Sequence, residues 1–162
     1  MGLQIKNNED FIVIYNRYVN TVYRVCYMYW KNRNDTEDAV QVTFTKLLEY
    51  TKGFDNEEHL KAWLIVTASN ICKNSLKHWY RKVINLDSIQ DSVESSTPDN
   101  ELLNLVLALP DKYKIVIYMY YYEGYNSIEI AKRLNKNEST IRTYLKKGRS
   151  LLKEHLGGYN EK

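Results

Sequence analysis

The stretch NSIEIAKRLNKNESTIRTYLKKGRSLLKEHL, Asn126 to Leu156, decides the fold. Asn126 stands three residues before Glu129, the spacing at which an N-cap and its third helical residue satisfy each other's backbone donors. Ile130, Ala131 and Leu134 follow at helical spacing. At Asn135 the chain needs a left-handed turn, which Asn tolerates. Asn137 is placed to cap a second helix that buries Ile141, Leu145 and Leu152. Two short helices, a tight turn and a small Ala on the first describe a helix-turn-helix. The outward face of the second helix carries Ser139, Arg142, Thr143, Lys146, Lys147 and Arg149. Such a helix fits a DNA major groove with its N-terminal residues on base edges. Arg142 can hold guanine by two hydrogen bonds, and Thr140 and Thr143 can meet a phosphate or a thymine methyl. Lys146, Lys147 and Arg149 lie further along and suit phosphates. The bland alternative is a helical hairpin with a basic surface. Agreement among capping, turn and spacing argues against it.

Upstream, Tyr113–Tyr122 is β-branched and aromatic, which by propensity reads as a strand. A lone strand among helices would have no partner, so the run is predicted helical, ended by Glu123-Gly124. Leu102, Leu103, Leu105, Val106 and Leu109 predict a helix that stops before Pro110. Asn85–Asn100 collects Ser, Thr, Pro and acids with few apolar residues, and reads as an extended, partly disordered linker. Before it come three amphipathic helices. The first, Glu9–Trp30, turns Phe11, Ile14, Tyr15, Tyr18, Val22, Val25, Cys26 and Tyr29 inward. The second is capped by Asn34 with Glu37, carries Ala39, Val40, Phe44, Leu47 and Leu48 as its stripe, and ends at Gly53. The third, from Glu57 to Arg81, is boxed by Asp55 and Glu58 and buries Leu60, Leu64, Thr67, Ala68, Ile71 and Ser75. The fold expected is all-α.

The 162 residues carry a formal charge of +3, which by itself decides nothing. Its distribution is more informative. Lys73–Lys82 holds four basic groups and no acid, and Lys132–Lys153 holds eight against Glu138 alone. Between them, Val83–Glu101 has five acids and no Lys or Arg. Two basic blocks, each beside aromatic or hydroxyl side chains, favour a polyanionic partner. The longest stretch free of charged residues, Ala62–Cys72, is too short to span a bilayer. Met1–Asp10 is polar, unlike a signal peptide. A cytoplasmic protein with no membrane insertion of this chain is expected. Cys26 and Cys72 read as buried thiols, and His59, His78 and His155 lie far apart, so no metal or other cofactor is expected. Neither paired catalytic carboxylates, a nucleophile–His arrangement nor a Gly-rich phosphate loop is present, so no catalytic residue is assigned.

The chain resembles the sigma-70 superfamily of RNA polymerase sigma factors, in its small extracytoplasmic-function (ECF) group. In the second half the likeness rests on Leu109-Pro110, Tyr122-Glu-Gly-Tyr125, Glu129-Ile-Ala131 and Ser139–Arg149. In the first it rests on Glu37-Asp-Ala-Val-Gln41 with Phe44, and on Ala62-Trp-Leu64 followed by Asn70. The resemblance implies a region-two-like helical bundle over 1–82, a flexible acidic linker over 83–100 and a region-four-like helix-turn-helix over 101–158. It implies core RNA polymerase as a partner, bound through Asp38, Gln41 and Phe44. Promoter DNA is the second partner. Its minus-ten element would meet Lys52, Phe54, Trp63, Asn70, Asn74, Lys77, Trp79, Tyr80 and Arg81, with the loop Thr51–His59 capturing one flipped base. Its minus-35 element would meet Ser139, Thr140, Arg142, Thr143, Tyr144, Lys146, Lys147 and Arg149. An anti-sigma factor is a third implied partner. Four positions depart from the family pattern: Val42 replaces Glu, Asn74 replaces Asp, Lys136 replaces an apolar residue, and Gly148 replaces Ala. The competing function is a polymerase-independent helix-turn-helix regulator, its first half serving dimerisation or effector binding.

Overall fold

A computed structural model describes residues 2–84 and 106–160, which fall into two compact units divided between Ser92 and Val93. All regular elements among the described residues are helical. The linker beyond residue 84 and the helix positions Leu102, Leu103 and Leu105 lie outside the described residues.

The first unit packs three mutually contacting helices: α1 (Asn8–Trp30), α2 (Arg33–Glu49) and α3 (Glu57–Ile84). Asn7 caps α1 by accepting from the Asp10 backbone N–H at 2.9 Å. The chain leaves α1 through Lys31, left-handed at φ 61°, whose N–H returns to the Tyr27 carbonyl. That turn moves the cap of α2 forward from the expected Asn34 to Asn32, which accepts from the Asp35 N–H at 2.8 Å. At its far end α2 stops at Glu49, with Tyr50 extended; Gly53 lies beyond it in the loop and does not terminate the helix. Asn56, not Asp55, caps α3, accepting from the His59 N–H at 2.8 Å. His59 Nδ1 in turn accepts from the Asp55 N–H at 3.1 Å.

The core is Val22, Val25, Cys26 and Met28 of α1, Val40, Phe44 and Leu47 of α2, and Leu60, Leu64, Ile65, Ala68 and Cys72 of α3. Both cysteines are free and buried, as expected. Inside the core, Tyr29 Oη and Ser69 Oγ share a hydrogen bond of 2.6 Å that ties α1 to α3. Arg17 and Glu57 form a second, exposed tie between the same helices. Tyr23 of α1 has its phenol pushed above its ordinary value, mainly by burial and next by the Glu37 carboxylate of α2. Three residues expected inward are exposed: Tyr15, Leu48 and Ser75. Tyr15 lies at the edge where its ring packs on Phe44, Leu48 faces solvent, and Ser75 is past the end of the shared core.

In the second unit, α4 (Asp111–Ile117) runs on into a π-helical turn over Tyr118–Tyr122. The Glu123 N–H reaches back to the Tyr118 carbonyl, and the Tyr118 hydroxyl donates to Glu123 Oε1 at 2.7 Å. The strand-like run is helical despite its propensity, and Tyr113–Met119 are all buried, as in a helix buried on every side. Gly124, at φ 79°, ends it. The helices α5 (Ser127–Leu134) and α6 (Glu138–Asn160) complete the unit, both packing with the preceding segment. The capping box of Asn126 and Glu129 is fully formed. Asn135 is left-handed at φ 55°, and the N–H groups of Asn135 and Lys136 return to the carbonyls of Lys132 and Ala131, a Schellman closure without glycine.

Gly148 sits in α6 directly against α4. A Cβ there would lie 2.7 Å from Ile117 Cγ1 and 2.8 Å from Cδ1. Ile117 is buried and β-branched, so it has little room to turn away. The glycine thus permits the close approach of the two helices, and its weaker helix propensity is the lesser effect. Gly148→Ala adds about 1 kcal/mol of propensity but overpacks a contact at a cost of about 1–3 kcal/mol. Hydrogen exchange should show lower protection across α4 and α6 in that variant; higher protection would mean that Ile117 yields.

Candidate nucleic-acid interface

Helix α6 divides its side chains sharply. Ile141, Leu145 and Gly148 are buried, whereas Ser139, Arg142, Thr143, Lys146, Lys147 and Arg149 are exposed. Thr140 is half-buried. Tyr144 is also half-buried, its ring edge-on to Tyr113 at 5.5 Å, and so braces α6 on α4. Arg142 Nη2 donates to Glu138 Oε1 at 2.5 Å, and Glu138 also accepts from Ser127 Oγ of α5 at 3.2 Å. The lone acid of the basic block therefore links α5 to the guanidinium at the head of α6. The Thr143 hydroxyl donates to the Ser139 carbonyl at 2.9 Å, which commits its proton within the helix.

On α3, Trp63, Asn70, Asn74, Lys77 and Arg81 follow one another at 7, 4, 3 and 4 residues, which places them on one face. Asn70, Asn74, Lys77 and Arg81 are exposed, and Trp63 is half-buried. Trp79 is exposed but lies half a turn away from that face, and the side chain of Tyr80 lies outside the described residues. Trp63 meets Tyr50 at 5.0 Å and Phe54 at 5.6 Å between ring centroids, and Phe54 also stacks on Tyr50 at 5.0 Å. His59 stands edge-on to Phe54 at 5.3 Å. This aromatic cluster fixes the α2–α3 loop and leaves Thr51 and Lys52 exposed. Phe54 itself is only 4% exposed, so it anchors the loop from inside and presents no face to a ligand.

On α2, Asp38 and Gln41 are exposed side by side with Val42 and Leu48. Phe44 is 3% exposed and packed against the rings of Phe11 and Tyr15, so it anchors α2 on α1 and presents no face to a partner. Sequence reasoning missed Leu3, which pairs with Phe54 through the backbone across the loop. No periodicity marks such a pairing.

Two helical units, one of them a helix-turn-helix with a basic recognition helix, define a DNA-binding protein. The sigma-70 region 2 family pattern matches residues 14–82, and the sigma-70 region 4 pattern matches residues 99–152. The chain belongs to the sigma-70 family, in its ECF group. It is 26% identical to the ECF sigma factor SigW of Bacillus subtilis, over 93% of this chain and 91% of that protein. It is 26% identical to the ECF sigma-E factor of Haemophilus influenzae, over 95% and 91%. The fold matches the sigma factor RpoE of Bartonella quintana, solved with the anti-sigma factor NepR, at a TM-score of 0.72. That match has 19% identity and covers 92% of this chain and 98% of that one. CnrH, solved with the cytosolic domain of CnrY, matches at 0.66 with 16% identity over 94% and 90%. The protein is thus an RNA polymerase sigma factor that directs core polymerase to promoters and nucleates melting, and the polymerase-independent regulator is set aside. The family is one of non-enzymatic initiation factors. No helix among the described residues is long and apolar enough to cross a membrane.

The burial of Phe54 separates anchor from contact. Phe54→Ala should cost the first unit about 3–5 kcal/mol, whereas Lys52→Ala should change stability by less than about 0.5 kcal/mol. Urea unfolding followed by tryptophan fluorescence measures both.

Proposed function

We propose that three exposed surfaces divide promoter recognition among them. The outward face of α2, with Asp38 and Gln41 exposed and Phe44 anchoring the helix on α1, docks on core polymerase. Val42 and Leu48 give that surface an apolar component which an acidic residue at position 42 would lack. The α3 face of Trp63, Asn70, Asn74, Lys77 and Arg81 meets the minus-ten element. Opening a duplex costs stacking energy, and polar and cationic groups on a rigid helix offset it by holding the separated strand. The α2–α3 loop, with Lys52 exposed and Phe54 beneath, captures one flipped base. Trp79 and Tyr80 serve the adjoining backbone. In α6, Ser139, Thr140, Arg142 and Thr143 read the minus-35 element while Lys146, Lys147 and Arg149 hold phosphates; Tyr144 keeps the helix seated. The working domains are 1–82 and 101–158, with 83–100 as the acidic linker.

One observation carries the reading: α3 buries Leu64, Ile65, Ala68 and Cys72 while the same helix exposes Asn70, Asn74, Lys77 and Arg81. A core helix that doubles as a cationic ridge beside an anchored loop suits strand capture. The protein acts without chemistry or a cofactor of its own, and works in the cytoplasm. The sigma factor RpoE, which shares this fold, was solved with the anti-sigma factor NepR, and we infer control of the same kind for this chain.

The purified protein should co-elute with bacterial core RNA polymerase, and Asp38→Arg should abolish co-elution. Lys77→Ala with Arg81→Ala should leave co-elution intact and lower open-complex yield at least about tenfold, the scale of removing two charge-assisted hydrogen bonds. Unchanged yield in that double variant would remove the α3 assignment. Removing Lys146, Lys147 and Arg149 should reduce the slope of log affinity against log salt by roughly 0.9 for each phosphate no longer neutralised.

A further inference from the structure

We propose that residues Gly2–Gln4 form a strap that holds the α2–α3 loop in its base-capturing shape, which makes Leu3 a positioning residue for promoter melting. The proposal rests on the loop's role proposed above. Leu3 and Phe54 exchange both backbone hydrogen bonds: the Leu3 N–H donates to the Phe54 carbonyl at 2.5 Å, and the Phe54 N–H donates to the Leu3 carbonyl at 2.8 Å. This is an antiparallel bridge in an otherwise helical unit. The Leu3 side chain is 40% exposed, so pairing of the backbone, and not burial of the side chain, attaches the strap.

The two glycines flanking the bridge make the approach feasible. A Cβ on Gly2 would lie 2.5 Å from the Phe54 carbonyl oxygen. Gly53 is left-handed at φ 72°, and a Cβ there would meet Gln4 Cγ at 2.9 Å and the Leu3 carbonyl oxygen at 3.0 Å. At Gly2 the crowding is backbone against backbone, with no flexible side-chain end to swing aside; at Gly53 the Gln4 side chain can turn away, and the left-handed φ is what requires glycine. Gly53, which sequence suggested as a helix terminator, instead lets the loop pass close to the strap. The loop therefore has an anchor on each side. The rings of Tyr50, Trp63 and His59 grip the Phe54 side chain, and Leu3 grips its backbone. Lys52 and Thr51 stand exposed two and three residues before this double-held residue. A loop fixed before it meets its ligand loses less freedom on binding, so strand capture is faster and more selective.

The test uses full-length holoenzyme and a promoter that wild-type holoenzyme selects from a randomised DNA pool. Leu3→Pro removes the N–H donor, Gly2→Val drives a side chain into the Phe54 carbonyl, and Leu3→Ala keeps the backbone while shortening an exposed side chain. The first two should bind core polymerase and promoter duplex as wild type does. They should open the duplex about tenfold more slowly, the scale of one or two residues to be re-ordered. Selection repeated with them should show a flattened base preference at the captured position and an unchanged minus-35 preference. Leu3→Ala should match wild type in every readout. Wild-type opening and preference in Leu3→Pro would overturn the strap, as would equal losses in Leu3→Ala. Loss of core binding in both strap variants would make the segment a folding element and overturn it too. If the strap variants behave as expected but Lys52→Ala leaves base preference untouched, the loop assignment fails, and the proposal with it.

Discussion

Each unit has few helices, so every helix must bury one face in the others and offer what remains to partners. α3 shows this constraint most clearly. Its first half is held by Leu60, Leu64, Ile65, Ala68 and Cys72, and by the Tyr29–Ser69 hydrogen bond. From Asn74 onward its described side chains are exposed or half-buried, so the helix continues past the core that nucleated it. Rigidity in the outer half is borrowed from the inner half, which is what allows polar groups there to keep their spacing. α2 follows the same rule with a narrower margin, since Phe44 is buried against the rings of Phe11 and Tyr15 while Asp38 and Gln41 of the same helix are exposed.

In the second unit the equivalent constraint is the distance between α4 and α6. Gly148 removes the side chain that would hold them apart, and Tyr144 on Tyr113 fixes their rotation. The turn before α6 is closed by Asn135 in a left-handed conformation with two backbone bonds, so the start of α6 is set by backbone geometry. Arg142 then takes its place through Glu138, which Ser127 also holds. A guanidinium placed by a carboxylate is oriented before DNA arrives, and it must exchange that partner for a base or phosphate.

Much of this is legible because helices write their faces into sequence at a fixed period. Asn126 with Glu129, and Asn135 at the turn, are interactions between residues a few places apart, and they appear as read. Asn32 and Asn34 each have an acid three residues on, so local chemistry offers two starts for α2; the left-handed Lys31 selects the earlier one. Periodicity shows which face is apolar but not how far the partner helix extends, which is why Leu48 and Ser75 read as inward and are not. Phe44 and Phe54 show a different limit. An aromatic residue in a motif reads equally as a contact or as its support, and only burial separates the two. The Leu3–Phe54 pairing joins distant residues through backbone atoms, which carry no side-chain signature.

That pairing also sets an order of events during synthesis. Leu3 leaves the ribosome well before its partner, and the rings that hold Phe54 follow only with the end of α2 and the start of α3. Until then the strap has nothing to bind. Helix pairs joined by short turns form quickly, whereas a pairing between distant residues waits for the chain between them to be ordered. The bridge is therefore expected among the last steps in the nascent first unit, closed once all three helices are available.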